Sequence, residues 1–232
     1  MDEIDLRTDN LNIFDQSNLS SCASVSTLNL LHYVLSTHLN NYEKFSYMFS
    51  YHVARRLEGN ENLNCGVHIR SVLKAIKHYG VLPKDLWKYK EKKQRQEILN
   101  LASQSIKMDN VFPVFLDNSD IDGVYQNLKN KLPFVFGITI DESFSAAGKN
   151  KGIVSLPTRV VGNSISGHAL FGLGIKKFEG KWYVIAQNSR GKKWGDNGYC
   201  YLPISYLTSV NLTPECWSFS MTNQYNQSLL IP

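Results

Sequence analysis

The hydrophobic period of the chain changes near its middle, and that change restricts the fold more than any other feature. In the first half, apolar residues recur every three or four positions over about residues 22–39, 46–58 and 67–79, as in helices with one buried face. The first of these carries Val25, Leu28, Leu31, Leu35 and Leu39 along one stripe, with Ser20 and Ser21 available as N-caps. The third presents Ile69, Val72, Leu73, Ile76 and Tyr79 on one face and stops at Gly80. A shorter helix is expected over Gln94 to Ser103. The second half reads as strands: Phe134 to Ile140, Ala169 to Lys177, Lys181 to Gln187 and Gly198 to Leu202 are short, β-branched or aromatic, and separated by glycine or charged turns. Helices followed by strands predict an α+β chain with a helical lobe, a sheet lobe and a cleft between them. With 232 residues, one domain of two lobes suits the chain better than two independent domains. The boundaries fall near 15–125 for the helical lobe and 126–207 for the sheet lobe, with 208–232 as a C-terminal extension.

Cys22 opens the first helix, where unpaired backbone N–H groups and the helix dipole lower a thiol pKa and favour the nucleophilic thiolate. Gln16 stands six residues before it, placed to donate to an oxyanion. Alone, Cys22 reads equally as a small buried core residue, the usual fate of a free cysteine. Two later features change that reading. His168 enters an apolar run, Ser166-Gly167-His168-Ala169-Leu170-Phe171, and Asn188 follows a strand into a glycine-containing turn, Gln187-Asn188-Ser189-Arg190-Gly191. A lone histidine or an Asn-Ser turn is ordinary. The order Gln, Cys, His, Asn is not.

These segments resemble the papain-like cysteine peptidases, whose triad is Cys-His-Asn. The resemblance is carried by Gln16-x5-Cys22, by Gly167-His168-Ala169, and by Asn188-Ser189-x-Gly191-x-x-Trp194-Gly195-x-x-Gly198-Tyr199. The last is the most specific, one substitution away from the family's Asn-Ser-Trp-Gly-x-x-Trp-Gly-x-x-Gly-Tyr signature. Tyr51-x-x-Ala54-Arg55-x-Leu57-Glu58-Gly59 and Ile69-Arg70-x-x-Leu73-Lys74-Ala75-Ile76-x-x-Tyr79-Gly80-Val81-x-Pro83 are similar to bacterial, archaeal and viral branches. The likeness runs from about residue 12 to about residue 207.

The resemblance implies a two-lobed papain-like fold with an antiparallel sheet or barrel as its second lobe. It also implies peptide-bond hydrolysis through a thioester, most simply as an endopeptidase. Cys22 is then the nucleophile, His168 the general base and acid, Asn188 the orienting group and Gln16 the oxyanion donor. Substrate contacts are expected at Gly66 (after Cys65, where the family has a first glycine), at Gly167 and at Trp194, although Gly66 reads equally as a turn and Trp194 as a core residue. Other thiol acyl transfer, deconjugating or transglutaminase-like, and a weakly catalytic peptide-binding descendant stay open as alternatives, since fold and triad do not fix the acceptor.

The departures are specific. Leu19-Ser20-Ser21-Cys22-Ala23 lacks the first cysteine, the glycine and the tryptophan of the family's Cys-Gly-Ser-Cys-Trp, so the disulfide made by that first cysteine is not expected. Arg190 replaces the tryptophan that, in the family, shields the histidine-asparagine hydrogen bond, and a guanidinium beside an imidazolium disfavours the charged pair. Only a short stretch, Met1 to Asn12, precedes the first motif where the family carries a much longer prosegment; it is a candidate to fold over the cleft. The stretch from Ser143 to Ser166 reads as a long loop that either covers the cleft or is a tolerated surface insertion.

Composition narrows the remaining classes. No run approaches the roughly 18 to 20 apolar residues of a membrane span, and no signal-peptide stretch opens the chain. With Cys22 as nucleophile, Cys65, Cys200 and Cys216 are an odd remainder without paired spacing, which predicts a reducing, intracellular setting. Part of the net charge of +5 sits between Lys84 and Arg95, a solvated face more than a nucleic-acid patch. The expectation is a monomer acting on peptide or protein substrates, without cofactor, metal, nucleic acid or membrane.

Overall fold

The computed structural model describes residues 1–9, 11–39, 44–93, 95–157 and 166–222. Its helices are α1 (Cys22–His38), α2 (Tyr47–Leu57), α3 (Ile69–Tyr79), α4 (Arg95–Ala102), α5 (Ile121–Lys129), α6 (Glu142–Ala147) and α7 (Ile204–Leu207). Its strands are β1 (Ile4–Asp5), β2 (Val111–Phe115), β3 (Phe134–Ile140), β4 (Ser166–Phe178), β5 (Lys181–Gln187), β6 (Tyr199–Pro203) and β7 (Glu215–Met221). The strands form one antiparallel sheet in the order β2-β7-β3-β4-β5-β6, with β1 added along β4. The sheet does not close into a barrel, and the architecture is α+β with the two lobes of a papain-like fold.

Helix α1 is the pillar of the molecule. Every residue from Cys22 to Leu31 is buried, so the expected apolar stripe is only half of its packing surface. The opposite face is small and polar, and it is also covered. Ser24 Oγ donates to the Tyr47 carbonyl at 2.8 Å, Ser26 Oγ to the Ala169 carbonyl at 3.1 Å, and Asn29 Nδ2 to Gln187 Oε1 at 2.7 Å. A buried polar group without a partner costs about 1–3 kcal/mol, so each bond fixes where the helix can sit. Two of them run to β4 and β5 next to His168 and Asn188. Gly80 ends α3 at φ +80°, where a side chain would collide with the Ile106 carbonyl.

The sheet has a core on each face. Val135, Ala169, Phe171 and Leu173 join α1, while Phe134, Phe136, Ile138 and Leu170 join α5 and α6. The alternation is that of a strand pair buried on both sides. A register irregularity at Gly172–Gly174 turns Ile175 to the second core, although Leu173, two residues earlier, faces the first.

The structure departs from the sequence expectations at several points. Strand β4 begins at Ser166, so His168 lies inside the strand, opposite Ile138. Strand β7 lies within the stretch expected as a C-terminal extension, and it pairs with both β2 and β3. Strand β2 falls within the expected helical lobe; it carries Pro113, which an edge strand tolerates because one side of its backbone is unpaired. The expected loop from Ser143 begins inside α6, and residues 158–165 lie outside the described residues. Among the described residues, the N-terminal stretch does not line the cleft: Ile4 and Asp5 pair with Ile175 and Gly174 at the far part of β4.

Candidate active site

Four segments converge where α1 meets the sheet. Helix α1 delivers Cys22, β4 delivers His168, the end of β5 delivers Asn188, and the chain before α1 delivers Gln16. That last segment is tied to the Asn188 turn: the Gln16 N–H donates to the Ser189 carbonyl at 2.9 Å, and the Gly191 N–H to the Phe14 carbonyl at 3.0 Å. The Asn188 N–H in turn donates to the Gly198 carbonyl at 2.9 Å. The two sides of the site are therefore clamped by backbone bonds, so their spacing does not depend on side chains alone.

His168 Nε2 lies 2.7 Å from Asn188 Oδ1. That bond engages Nε2 and leaves Nδ1 as the ring nitrogen available to Cys22, whose thiol the same imidazole influences. Burial, the largest single influence on Cys22, opposes its ionisation. The charge and hydrogen bond of His168, with backbone N–H groups of Ala169 and Ala23, outweigh it and hold the thiol below its ordinary range. Cys200 and Cys216 are the contrast: with no imidazole beside them, burial pushes both thiols far up, Cys216 with the Glu215 charge adding to the rise and the Trp217 N–H opposing it, and all four cysteines are free. Asn188 Oδ1 also accepts the Ser189 N–H at 2.8 Å, which fixes the orientation of the amide.

Gln16 is buried beside Cys22 in the cleft wall. Its Oε1 accepts from Ser189 Oγ, and its Nε2 donates one proton to the Leu19 carbonyl at 2.6 Å. An amide nitrogen carries two protons, so the second remains for a ligand.

The cleft has a volume of about 510 Å³, and its walls include Gln16, Cys22, Gly66, Gly167, His168 and Glu215. Gly66 and Gly167 both face open space, with nothing within 4 Å of where a side chain would begin. Trp194 is not in these walls. It stacks on Phe144, ring centroids 5.3 Å apart, and Phe144 lies 5.3 Å from the His168 ring. Phe144 thus lies against the imidazole, with Trp194 stacked on Phe144. Arg190 is exposed at the cleft and bridges backbone to backbone with Asp15.

The model of the papain family of cysteine proteases matches residues 1–213. The chain belongs to that family. This papain-family chain is also 31% identical to an uncharacterized peptidase C1-like protein of Acanthamoeba polyphaga mimivirus, over 89% of this chain and 69% of that protein. Its fold is similar to xylellain, a cysteine protease from Xylella fastidiosa (TM-score 0.78, 23% identity, 95% of this chain and 86% of that one). Digestive procathepsin L 3 of Tenebrio molitor larval midgut is similar too (TM-score 0.70, 17% identity, 93% of this chain and 69% of that one). The papain-family chain is thus a cysteine protease, a hydrolase whose substrates are peptides or proteins.

Several residues around the site of this protease were not legible as such in the sequence. Phe144 carries no motif. Glu215, in the cleft wall, accepts the Ile69 N–H at 3.1 Å and the Trp217 indole N–H at 3.2 Å, joining α3 to β7 across 146 positions of chain. Ser21 does not cap α1 with its side chain, and its hydroxyl lies 2.6 Å from Tyr89 Oη. Among the described residues no cluster of His, Cys, Asp and Glu is fit to hold a metal, and no helix is long and apolar enough to cross a membrane.

Proposed function

We propose that Cys22, His168 and Asn188 form the catalytic triad of this protease, that Gln16 and the Cys22 N–H form its oxyanion hole, and that it cleaves internal peptide bonds. The observation that carries the reading is the relay from Cys22 through His168 to Asn188, set at a helix end that no side chain caps. A thiolate-imidazolium pair follows from that arrangement, each charge stabilising the other. Asn188 holds the ring without adding a charge. The thiolate attacks the peptide carbonyl, and the second Gln16 amide proton meets the developing oxyanion, an interaction worth roughly 3 kcal/mol. His168 protonates the leaving amine, and water activated by His168 then hydrolyses the thioester. Gly66 and Gly167 offer backbone to an extended substrate where no side chain obstructs it. The free cysteines fit an intracellular setting.

Intact-mass analysis with an epoxysuccinyl peptide, followed by cleavage of internally quenched peptides, tests this. One adduct on the parent, none on Cys22→Ala or His168→Ala, and products cut at internal bonds are the expected result. An adduct without internal cleavage would favour another acyl transfer. No adduct on folded protein between about pH 5 and 8 would remove Cys22 as an activated nucleophile.

A further inference from the structure

Ser21 is the residue before Cys22 and the N-cap of α1, yet it caps nothing. A serine at this position ordinarily adopts extended backbone angles and turns its oxygen to the N–H of the second or third helical residue. In this protein Ser46 does so at α2, with φ −75° and ψ 113°, accepting the Phe49 N–H at 3.2 Å. Asp120 and Asp141 likewise cap α5 and α6. Ser21 stands at φ −100° and ψ 16°, fully buried, with its hydroxyl 2.6 Å from Tyr89 Oη. Tyr89 Oη also donates to the Gln16 carbonyl at 2.9 Å. A phenol has one proton, and a carbonyl can only accept, so the Tyr89 proton goes to Gln16 and Ser21 donates to Tyr89. The relay is Ser21 Oγ–H to Tyr89 Oη–H to the Gln16 carbonyl.

The group that an ordinary Ser21 cap would occupy is the N–H of Ala23 or Ser24. Cys22 is the first residue of that helix, so its sulfur stands at the same open end, and the Ala23 N–H is among the groups that favour its ionised form. The serine oxygen and the cysteine sulfur are thus rivals for one donor, and Tyr89 decides between them. Its ring is held edge-on to Phe14, centroids 4.6 Å apart, which fixes where the hydroxyl stands.

We propose that Tyr89 is a positioning residue that draws the Ser21 hydroxyl off the end of α1 and so leaves the helix N–H groups to the Cys22 sulfur. The inference rests on the reading of Cys22 as nucleophile and assigns a device that keeps that site competent. It gives Tyr89 a second effect as well, a hold on the backbone of Gln16, and the test has to separate the two.

The separating experiment is a two-residue cycle read by the pH dependence of Cys22 alkylation with iodoacetamide, with kcat and KM measured beside it and folding checked by circular dichroism. Tyr51 and Tyr89 also sense the Cys22 charge, and His68, Arg190 and Glu215 are the charged or titratable groups that share its cleft wall besides His168. The two tyrosines do not interfere. Burial raises both above their ordinary range, Tyr89 to about 12, so they stay neutral across the measurement. Tyr89→Phe frees the Ser21 hydroxyl to cap the helix; a cap is worth about 1 kcal/mol, so the alkylation midpoint rises by about 0.7 pH unit and the rate below the midpoint falls about fivefold. kcat falls with little change in KM. Adding Ser21→Ala removes the rival, and the double variant is expected to return to the parent midpoint and rate within measurement error. A double variant as slow as Tyr89→Phe alone, or a Tyr89→Phe variant equal to the parent, overturns the inference while leaving Cys22 as nucleophile. A parent Cys22 that titrates in the ordinary thiol range overturns both.

Discussion

Two helix N-termini open on the same cleft, and they are treated in opposite ways. At α3 the N-cap residue His68 provides no side-chain cap, but carboxylates arrive from elsewhere: Glu215 Oε1 takes the Ile69 N–H at 3.1 Å, and Glu58 takes the His68 N–H at 2.9 Å. At α1 there is no acidic residue in the first turn and no side-chain cap. The positive pole of a helix is neutralised by such groups. It is therefore quenched at the cleft wall and kept at Cys22. The comparison shows that the cleft is not electropositive in a general way. One helix end alone is left for an anion, and a thiol lies on it.

Removing the thiol from the open end has the largest effect. Cys22→Ala should lower kcat by at least about 10⁴-fold, measured with a fluorogenic peptide and confirmed by loss of epoxide labelling. Next comes the donor beside it, where Gln16→Ala should cost 10²–10³ in kcat, about 3 kcal/mol, with a smaller change in KM. The quenched end responds differently. Glu215→Ala strands the Ile69 N–H and the Trp217 indole, so chemical denaturation should show a loss of roughly 2–3 kcal/mol, while the pH midpoint of Cys22 alkylation stays where it was. A midpoint that moved with Glu215 would mean that the two helix ends are not separate.

The smallest effect comes from α1 itself, three turns below Cys22. His32 is half-buried, accepts the Phe45 N–H at 3.1 Å, and stacks on the Phe45 ring. Burial, and then the charges of Lys44 and Lys84, push it down to about 3. The unfolded chain protonates this histidine near pH 6.5 and the folded chain only near 3, so stability is full above the first value and falls as pH drops between them. At pH 5 the loss is about 2 kcal/mol. Urea denaturation at pH 7 and pH 5 measures it, and His32→Gln should flatten the difference.

Legibility in the sequence followed the range of the interactions. Helices α1 to α4 and strands β3 to β6 were readable because their period, caps and stops are local: the Leu28-Leu31-Leu35 stripe and the Gly80 stop need no tertiary partner. Gln16, Cys22, His168 and Asn188 were readable through motifs, and the structure brings them together with Gly66 and Gly167 at one cleft. Trp194 reads in the sequence as a cleft residue or a core residue, and it stacks on Phe144, which lies against the His168 ring. Strand β7 was missed because Glu215 to Met221 is stabilised by pairing with β2 and β3, far away in the chain. The buried polar face of α1 was missed for a related reason. Ser26 and Asn29 look like a solvent face until Ala169 and Gln187 are known to lie against them. Tyr89 lies within a charged run that reads as solvated surface, and only its position in space gives its hydroxyl two partners.

The central claim is that Cys22 is held as a thiolate by His168 and the open end of α1. The direct measurement is thiolate ultraviolet absorbance as a function of pH, parent minus Cys22→Ala, on folded protein. A single Cys22-dependent transition well below the ordinary thiol range is expected, moving up when His168 is replaced by Gln. A Cys22 signal that appears only in the ordinary alkaline range, and does not respond to His168, would contradict it.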